Sequence, residues 1–421
     1  MTLSNVTERL RQMRVEHRKT TLLGIGPMSK RIVRVSLLVA KKWDFPLMFI
    51  ASRNQVDLKE LGGGYVCAWD QAAFAATIRE AASAAGYTGP CYLCRDHGGP
   101  WQRDEERRDN LPVEEAMDLA KRSYLEDLVR GFHLLHIDPT KDPLAGASVQ
   151  LEAVTERTVG LIEYIEAQRR DRGLPEVAYE VGTEETSGGL TSAVTYESFI
   201  ARLTSLLERK SLPRPIFIVG QTGTLTRLTQ NVGRFDARAA CALSDIAARH
   251  ACGLKEHNAD YLPDRILLGH PLLGVAAVNV APEFGVAETD AYLQLAEAEQ
   301  EVHRQGSIAT FSDFYTLFSE TSVRSERWRK WMTGETASIP TAQALENPQL
   351  REQITRVCGH YVFNDPGVKS CLDEMLAKLR GAGIDPEGYA DGAVARSIER
   401  YARCLNLRGL TSSIAGERSL S

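Results

Sequence analysis

Cys91-Tyr92-Leu93-Cys94-Arg95-Asp96-His97-Gly98-Gly99-Pro100 is a short apolar run that ends in an acid and an imidazole and then breaks. Its first half reads as a buried strand, and the two glycines and the proline as the turn that must follow it. Asp96 and His97 can simply close the strand, since both are ordinary turn and cap residues. They can also be a site, because in a doubly wound sheet or a (β/α)8 barrel the strands converge at their carboxyl ends and the βα loops there lie open to solvent. Repetition favours the second reading. Segments 132–138, 177–184 and 253–260 have the same form, an apolar run ending in an ionisable group.

Outward from this stretch the chain alternates. Strand-like runs at 20–25, 45–52, 91–97, 132–138, 177–182, 215–220, 253–257 and 274–280 are separated by segments with helical spacing of apolar residues. Such regular βα alternation is the pattern of an α/β fold, a (β/α)8 TIM barrel, over residues 20–305. An open doubly wound sheet is the runner-up, but no Gly-x-Gly-x-x-Gly follows the first strand. Residues 1–19 form a charged, helical leader. From 306 to 421 the strands stop, and a C-terminal helical extension with a frayed tail after Gly409 is expected. The dense charge between Trp101 and Asn110 reads as a solvated loop or lid.

The 421 residues are 43% hydrophobic and 25% charged, the balance of an ordinary globular protein that buries a substantial core. A net charge of -5 gives no basic footprint for nucleic acid. No apolar run approaches the roughly 20 residues that span a bilayer, and the polar start lacks the apolar core of a signal peptide. A cytoplasmic protein without a membrane partner is expected. The eight scattered cysteines suit reduced thiols. Cys91 and Cys94 lie on a strand, where positions three apart face opposite ways, so they read as structural thiols rather than a metal or redox pair.

In a barrel, the ends of strands three, four, five and seven bring Asp96, His97, His136, Asp138, Glu180, Glu184, Glu256, His257 and Asp260 towards one mouth. Imidazoles and a carboxylate so gathered suit a divalent metal, zinc or the harder manganese, which would polarise a carbonyl or ketose hydroxyl and stabilise an enediolate. A neighbouring carboxylate, Asp96 or Glu184, would move the proton. The alternative is a metal-free polar mouth whose groups pair with one another. Asn54 and Gln55 after strand two either hold a substrate hydroxyl or carbonyl or satisfy loop backbone. Arg53, Arg95, Arg227 and Arg234 are candidates to receive an anion. No Ser-His-Asp elbow, Walker loop, nucleotide fingerprint or kinase signature is present.

Asn54-Gln55-Val56, Asp96-His97-Gly98-Gly99-Pro100, Gly131-Phe132 leading to His136-Ile137-Asp138, Val181-Gly182-Thr183-Glu184 and Glu256-His257-Asn258-Ala259-Asp260-Tyr261 occur in this order. The set resembles the non-catalytic subunit family of class II D-tagatose-1,6-bisphosphate aldolase, members of which are also labelled tagatose-6-phosphate kinase. The resemblance covers residues of about 20 to 400. It implies a barrel related to the zinc-dependent class II aldolases, with Asp96 as acid/base, His97 as a metal ligand and His257 as a second. Some relatives epimerise ketohexose phosphates at C4, by retro-aldol cleavage and re-addition.

The chain departs from that pattern twice. After strand six Gln221-Thr222-Gly223-Thr224-Leu225-Thr226-Arg227 has no histidine, and strand eight ends in Asn279 where an aldolase carries a histidine ligand. Glu184 is therefore expected to complete the metal site with His97 and His257. Asp96, Glu184 and Asp138 are the expected catalytic acids. Asn54, Gln55, His136, Glu180, Gln221, Glu256, Asp260 and Asn279 are expected to bind substrate. Two functions follow: a metal-dependent ketose or ketose-phosphate C4-epimerase or aldolase-like enzyme, or a non-catalytic subunit that stabilises a separate catalytic aldolase through the helical extension. Homo-oligomerisation would serve either.

Overall fold

The computed structural model describes residues 1–15, 19–144, 150–182, 189–332 and 334–416. Eight strands, β1 (Leu22–Ile25), β2 (Leu47–Ala51), β3 (Cys91–Gly98), β4 (Leu134–Ile137), β5 (Ala178–Val181), β6 (Phe217–Val219), β7 (Gly253–Glu256) and β8 (Ala277–Val280), close into a barrel in sequence order. Every neighbouring pair is parallel, and β8 returns to β1 with Leu22 opposite Ala277 and Gly24 opposite Asn279. Buried on both faces, such strands carry near-continuous apolar runs, as Leu47–Ala51 does. The crossovers are helices whose caps can be read locally. Ser29 accepts from the Ile32 N–H to start Lys30–Trp43, and Asp70 from the Ala73 N–H to start Gln71–Ala85.

Two guanidiniums are buried under the carboxyl-end loops. Arg95 points out of the barrel and binds Asp127 through two nitrogens at 2.8 and 2.6 Å, with further bonds to the Ala51 and Val56 carbonyls. Arg53 meets Asp57 at 3.0 Å and Glu106 at 2.7 Å. Both are spent on structure, so neither is the anion receptor considered above. Glu106 also corrects the expected solvated run at 101–110. Trp101 is fully buried, its indole donates to the Leu111 carbonyl, and Asp104–Arg108 is a short helix packed onto the mouth.

The ends of the chain belong to the fold. Leu3, Val6 and Met13 of helix Leu3–Val15 join the barrel core. Leu410 and Ile414 of helix Leu410–Ala415 are buried against it, so this stretch after Gly409 is a packed helix rather than frayed. Beyond the last barrel helix, Pro282–Arg304, the extension forms helices Phe314–Arg324, Pro348–Cys358, Pro366–Gly381 and Pro386–Cys404. The first three build two further apolar clusters, one of them shared with Tyr292 and Leu295 of Pro282–Arg304, and Pro386–Cys404 packs on the barrel through Val394, Ile398 and Tyr401. All eight cysteines are free thiols; burial pushes Cys91 up to about 12 and Cys94 further still. Among the described residues no helix is long and apolar enough to cross a membrane.

Candidate active site

The third strand is irregular where its chemistry lies. Arg95 pairs with Leu135 and Gly98 with Ile137, so three steps on β3 oppose two on β4. This is a bulge, and its cost is visible in His97, whose φ of 42° is a conformation that residues with a Cβ rarely adopt. The consequence is that Arg95 faces outward while the consecutive residues Asp96 and His97 both reach inward. A regular strand would have sent one of them away.

Inside the barrel two imidazoles face each other. His97 Nε2 and His257 Nδ1 are 3.1 Å apart. Each ring is fixed from behind by a carboxylate: His97 Nδ1 lies 2.8 Å from Asp138 Oδ2, and His257 Nε2 lies 2.5 Å from Glu180 Oε1. Burial alone would raise Asp138, but the hydrogen bond from His97 and the nearby imidazoles outweigh it and hold the carboxyl well below the usual range. Glu180 is likewise buried, and Lys255, then His136 and His257, keep it ionised. An ionised carboxylate only accepts, so both rings place a proton on the carboxylate side. Two nitrogen lone pairs then converge, which is unfavourable unless a proton or a metal ion lies between them. Burial lowers the proton affinity of His97, yet the charge of Asp96 and the bond to Asp138 raise it overall.

The donor set fits a metal. For nitrogens about 2.0–2.1 Å from a tetrahedral zinc, the separation between two ligands is roughly 3.3 Å, close to that observed. Carboxylates behind metal-binding imidazoles are the usual means of fixing tautomer and orientation. His136 completes a group of three histidines whose ring nitrogens lie within 4.8 Å of one another. Its tautomer differs. His136 Nδ1 accepts from the His97 backbone N–H at 3.1 Å, and burial pushes the ring down to about 4. A neutral ring that accepts at Nδ1 carries its proton on Nε2, and that buried atom has no hydrogen-bond partner.

Asp96 stands beside the pair, its Oδ1 3.6 Å from His257 Nδ1 and accepting from Asn279 Nδ2 at 3.0 Å. Asn279 reaches it because Gly24 lacks a side chain: a Cβ there would lie 2.3 Å from Asn279 Oδ1. Burial pushes Asp96 up, but His97, His257, Lys255 and His136 together hold it below its ordinary value. Among the described residues nothing donates to Asp96 Oδ2.

Lys255 was absent from the residues picked out by sequence. Its Nζ lies 2.5 Å from Glu180 Oε2, and both side chains are fully buried. Lys255 sits in the four-residue strand Gly253–Glu256, where Leu254, Lys255 and Glu256 are all buried. Because Lys255 and His257 face inward, Glu256 must face outward, where it meets His270 Nε2 at 2.8 Å. Glu256 is thus not at the mouth. Asp260 is also elsewhere: Oδ1 accepts from the Ala281 and Glu283 N–H groups at 3.1 and 2.8 Å, fastening the start of Pro282–Arg304.

Asn54 binds the Gln102 carbonyl and both the side chain and N–H of Asp104, and Gln55 binds the Ser52 N–H and Met28 Sδ, so both brace mouth loops. The backbone of Gln221 pairs with Thr191. Arg227 Nη1 donates to the neighbouring Thr226 carbonyl. Glu184 lies outside the described residues.

A family model described as D-tagatose-1,6-bisphosphate aldolase subunit GatZ/KbaZ-like matches residues 8–388. Among curated proteins, no sequence matches the chain. Of solved structures, a probable tagatose 6 phosphate kinase from Sinorhizobium meliloti 1021 aligns with a TM-score of 0.70 at 19% identity, over 95% of this chain and 99% of that one. Fructose-bisphosphate aldolase from Campylobacter jejuni gives 0.56 at 12% identity over 97% and 96%. The fructuronate-tagaturonate epimerase UxaE from Cohnella laeviribosi gives 0.52 at 12% over 92% and 82%. At these identities the likeness is one of fold.

Proposed function

The chain belongs to the D-tagatose-1,6-bisphosphate aldolase subunit GatZ/KbaZ-like family, and on that premise we propose that it is a metal-dependent, aldolase-like or C4-epimerising enzyme acting on a ketose phosphate. The observation that carries this reading is the approach of His97 Nε2 and His257 Nδ1 to 3.1 Å with a carboxylate behind each ring. A protein that only packed against a partner has no need of such an arrangement, in which several buried ionisable groups are held at a cost of several kcal/mol each unless paired.

His97 and His257 would hold a divalent ion, zinc by the nitrogen donors and manganese as the harder alternative. When bound, the ion supplies a Lewis acid that polarises the ketose carbonyl and stabilises negative charge developing on the sugar oxygens. Glu184 remains the proposed further ligand. Asp96, ionised and with no donor to Oδ2 among the described residues, takes the proton from the C4 hydroxyl as the C3–C4 bond breaks and its electron pair moves towards the carbonyl carbon. Return of that proton after the aldehyde has turned its other face gives the C4 epimer; loss of the aldehyde gives cleavage. His136, with Nδ1 occupied by the His97 amide, donates Nε2–H to a substrate oxygen. Asp138 and Glu180 keep the two rings oriented, and Lys255 keeps Glu180 charged.

The family description also supports a second reading, a subunit acting with a catalytic aldolase chain. Elemental analysis of the purified protein beside a His97→Ala, His257→Ala double variant separates the two. Near-stoichiometric zinc or manganese that is lost in the variant, with turnover of ketose phosphates lost alongside, supports the enzyme. Absence of metal in both proteins even after soaking, with co-purification of an aldolase, supports the subunit.

A further inference from the structure

The extension places a short turn, Arg327–Lys330, on the same end of the barrel as the imidazoles. Its neighbours are Tyr65, which follows β2, and Asp104 and Arg107, which follow β3. Arg327 covers the rings of Tyr65 and Tyr361 at 4.9 and 5.3 Å, and Lys330 covers Tyr361 at 5.3 Å and Trp331 at 5.5 Å. The Tyr65 and Tyr361 rings meet at a tilt of 59° with centroids 4.6 Å apart, and Asn364 donates to the Tyr65 carbonyl, so barrel and extension form one floor.

The cations on that floor are poorly matched. Arg329 on the same turn is fully used, bonding Glu326, Thr341 and the Ala337 and Ile339 carbonyls at 2.9–3.1 Å. Among the described residues, the carboxylate nearest Arg327 and Lys330 is Asp104 Oδ2, at 4.0 and 3.8 Å, too far for a hydrogen bond. The other oxygen of Asp104 already serves Arg107 and Asn54. One carboxylate therefore faces Arg107, Arg327 and Lys330.

Behind the floor His360 is 2% exposed, and neither of its ring nitrogens has a hydrogen-bond partner. Its ring lies tilted against Tyr361 with centroids 4.2 Å apart and fits against Gly285, where a Cβ would lie 2.8 Å from its ring. Burial, then the charges of Lys330 and Arg327, push it down to about 3, so it adds no charge of its own. Asn54 bridges Asp104 to the Gln102 carbonyl, and Gln102 Nε2 donates to the Asp138 carbonyl at 2.8 Å, which ties this floor to the loops that carry the imidazole centre.

We propose that Arg327 and Lys330, carried by the extension over the Tyr65–Tyr361 floor, form an anion subsite that receives the phosphate of a sugar phosphate held in the barrel mouth. The identity of the molecule bearing the phosphate rests on the ketose-phosphate reading above; the subsite itself does not. Glu326 also lines this cavity but is engaged by Arg329 and Thr341, so Arg107, Arg327 and Lys330 share Asp104, and that excess of positive charge suits a dianion better than a carboxylate ligand. Two aromatic rings hold the cations in place before the anion arrives, which lowers the entropy lost on binding.

The test is calorimetric titration of inorganic phosphate, and separately of acetate, into the metal-stripped full chain, so that neither metal nor turnover enters the result. Wild-type protein is expected to bind phosphate, and the Arg327→Gln, Lys330→Gln double variant to bind it at least about tenfold more weakly. Asp104→Asn is expected to bind phosphate more tightly, a direction that misfolding cannot mimic. Equal phosphate affinity in wild type and double variant overturns the proposal, as does acetate binding as tightly as phosphate. Failure of the metal-dependent chemistry with phosphate binding intact would leave the subsite standing.

Discussion

Lys255 and Glu180 form a buried ion pair across the barrel interior, from β7 to β5 with β6 between them, and the second oxygen of Glu180 holds His257 at 2.5 Å. The lysine thus determines the charge of the carboxylate that orients an imidazole of the candidate centre. Replacing Lys255 by Met leaves Glu180 buried with one partner fewer. The expected loss is about 3–5 kcal/mol of stability, read as a lowered urea midpoint. A midpoint equal to wild type would mean that Glu180 is not held by the pair.

Asp138 lies behind His97 and holds its Nδ1 at 2.8 Å. Asp138→Asn keeps the shape but lets the amide donate as well as accept, which removes the preference for the His97 tautomer with a free Nε2. Metal affinity is expected to fall by about 10–100-fold while the fold is retained. Competition with a chelator of known affinity measures it, and an unchanged affinity would remove Asp138 from the centre.

His136 separates two uses of the third imidazole. With Nδ1 accepting from the His97 amide, it presents a proton rather than a lone pair. His136→Gln preserves a donor, so bound metal is expected to stay near stoichiometric while turnover drops by about tenfold or more. Loss of the metal in this variant would instead make His136 a ligand.

His360 predicts a pH dependence. Its ring is pushed from an ordinary value near 6.5 to about 3, by burial first and then by Lys330 and Arg327. Since the folded value is depressed, the unfolded chain binds the proton more readily. The stabilising contribution is complete above pH about 6.5 and is lost as the pH falls towards 3. At pH 5 the loss is about 2 kcal/mol, and His360→Phe should remove that part of the slope between pH 7.5 and 5 in urea unfolding. An identical slope in the variant would show that the ring takes up its proton without unfolding.

Much of the architecture was legible because it is local. Period-two apolar runs and the helical spacing between them gave eight strands in order, and closure of the barrel follows from that count. Asp96, His97, His136, Asp138, Glu180 and His257 were all visible as polar groups ending such runs, and they do converge. Other features were hidden because they depend on partners distant in sequence. Trp101–Asn110 looks solvated until Glu106 meets Arg53, and the last helix looks frayed until Leu410 and Ile414 find the N-terminal helix.

The β3 bulge and the phase of β7 mark the boundary most clearly. Alternation establishes that Lys255 and Glu256 face opposite ways, but not which of them faces in. That is decided by the register β7 takes against β6 and β8, which puts Lys255 opposite Val219 and Ala277 and sends Glu256 to His270. Likewise no spacing rule puts the adjacent residues Asp96 and His97 into one site; the extra residue of the bulge does. The sequence by itself determined the order of the strands and the chemical groups at their ends, because those depend on neighbours along the chain. Which groups point into the barrel was decided only by the tertiary structure, because a strand's phase is set by hydrogen bonds to strands far away in sequence.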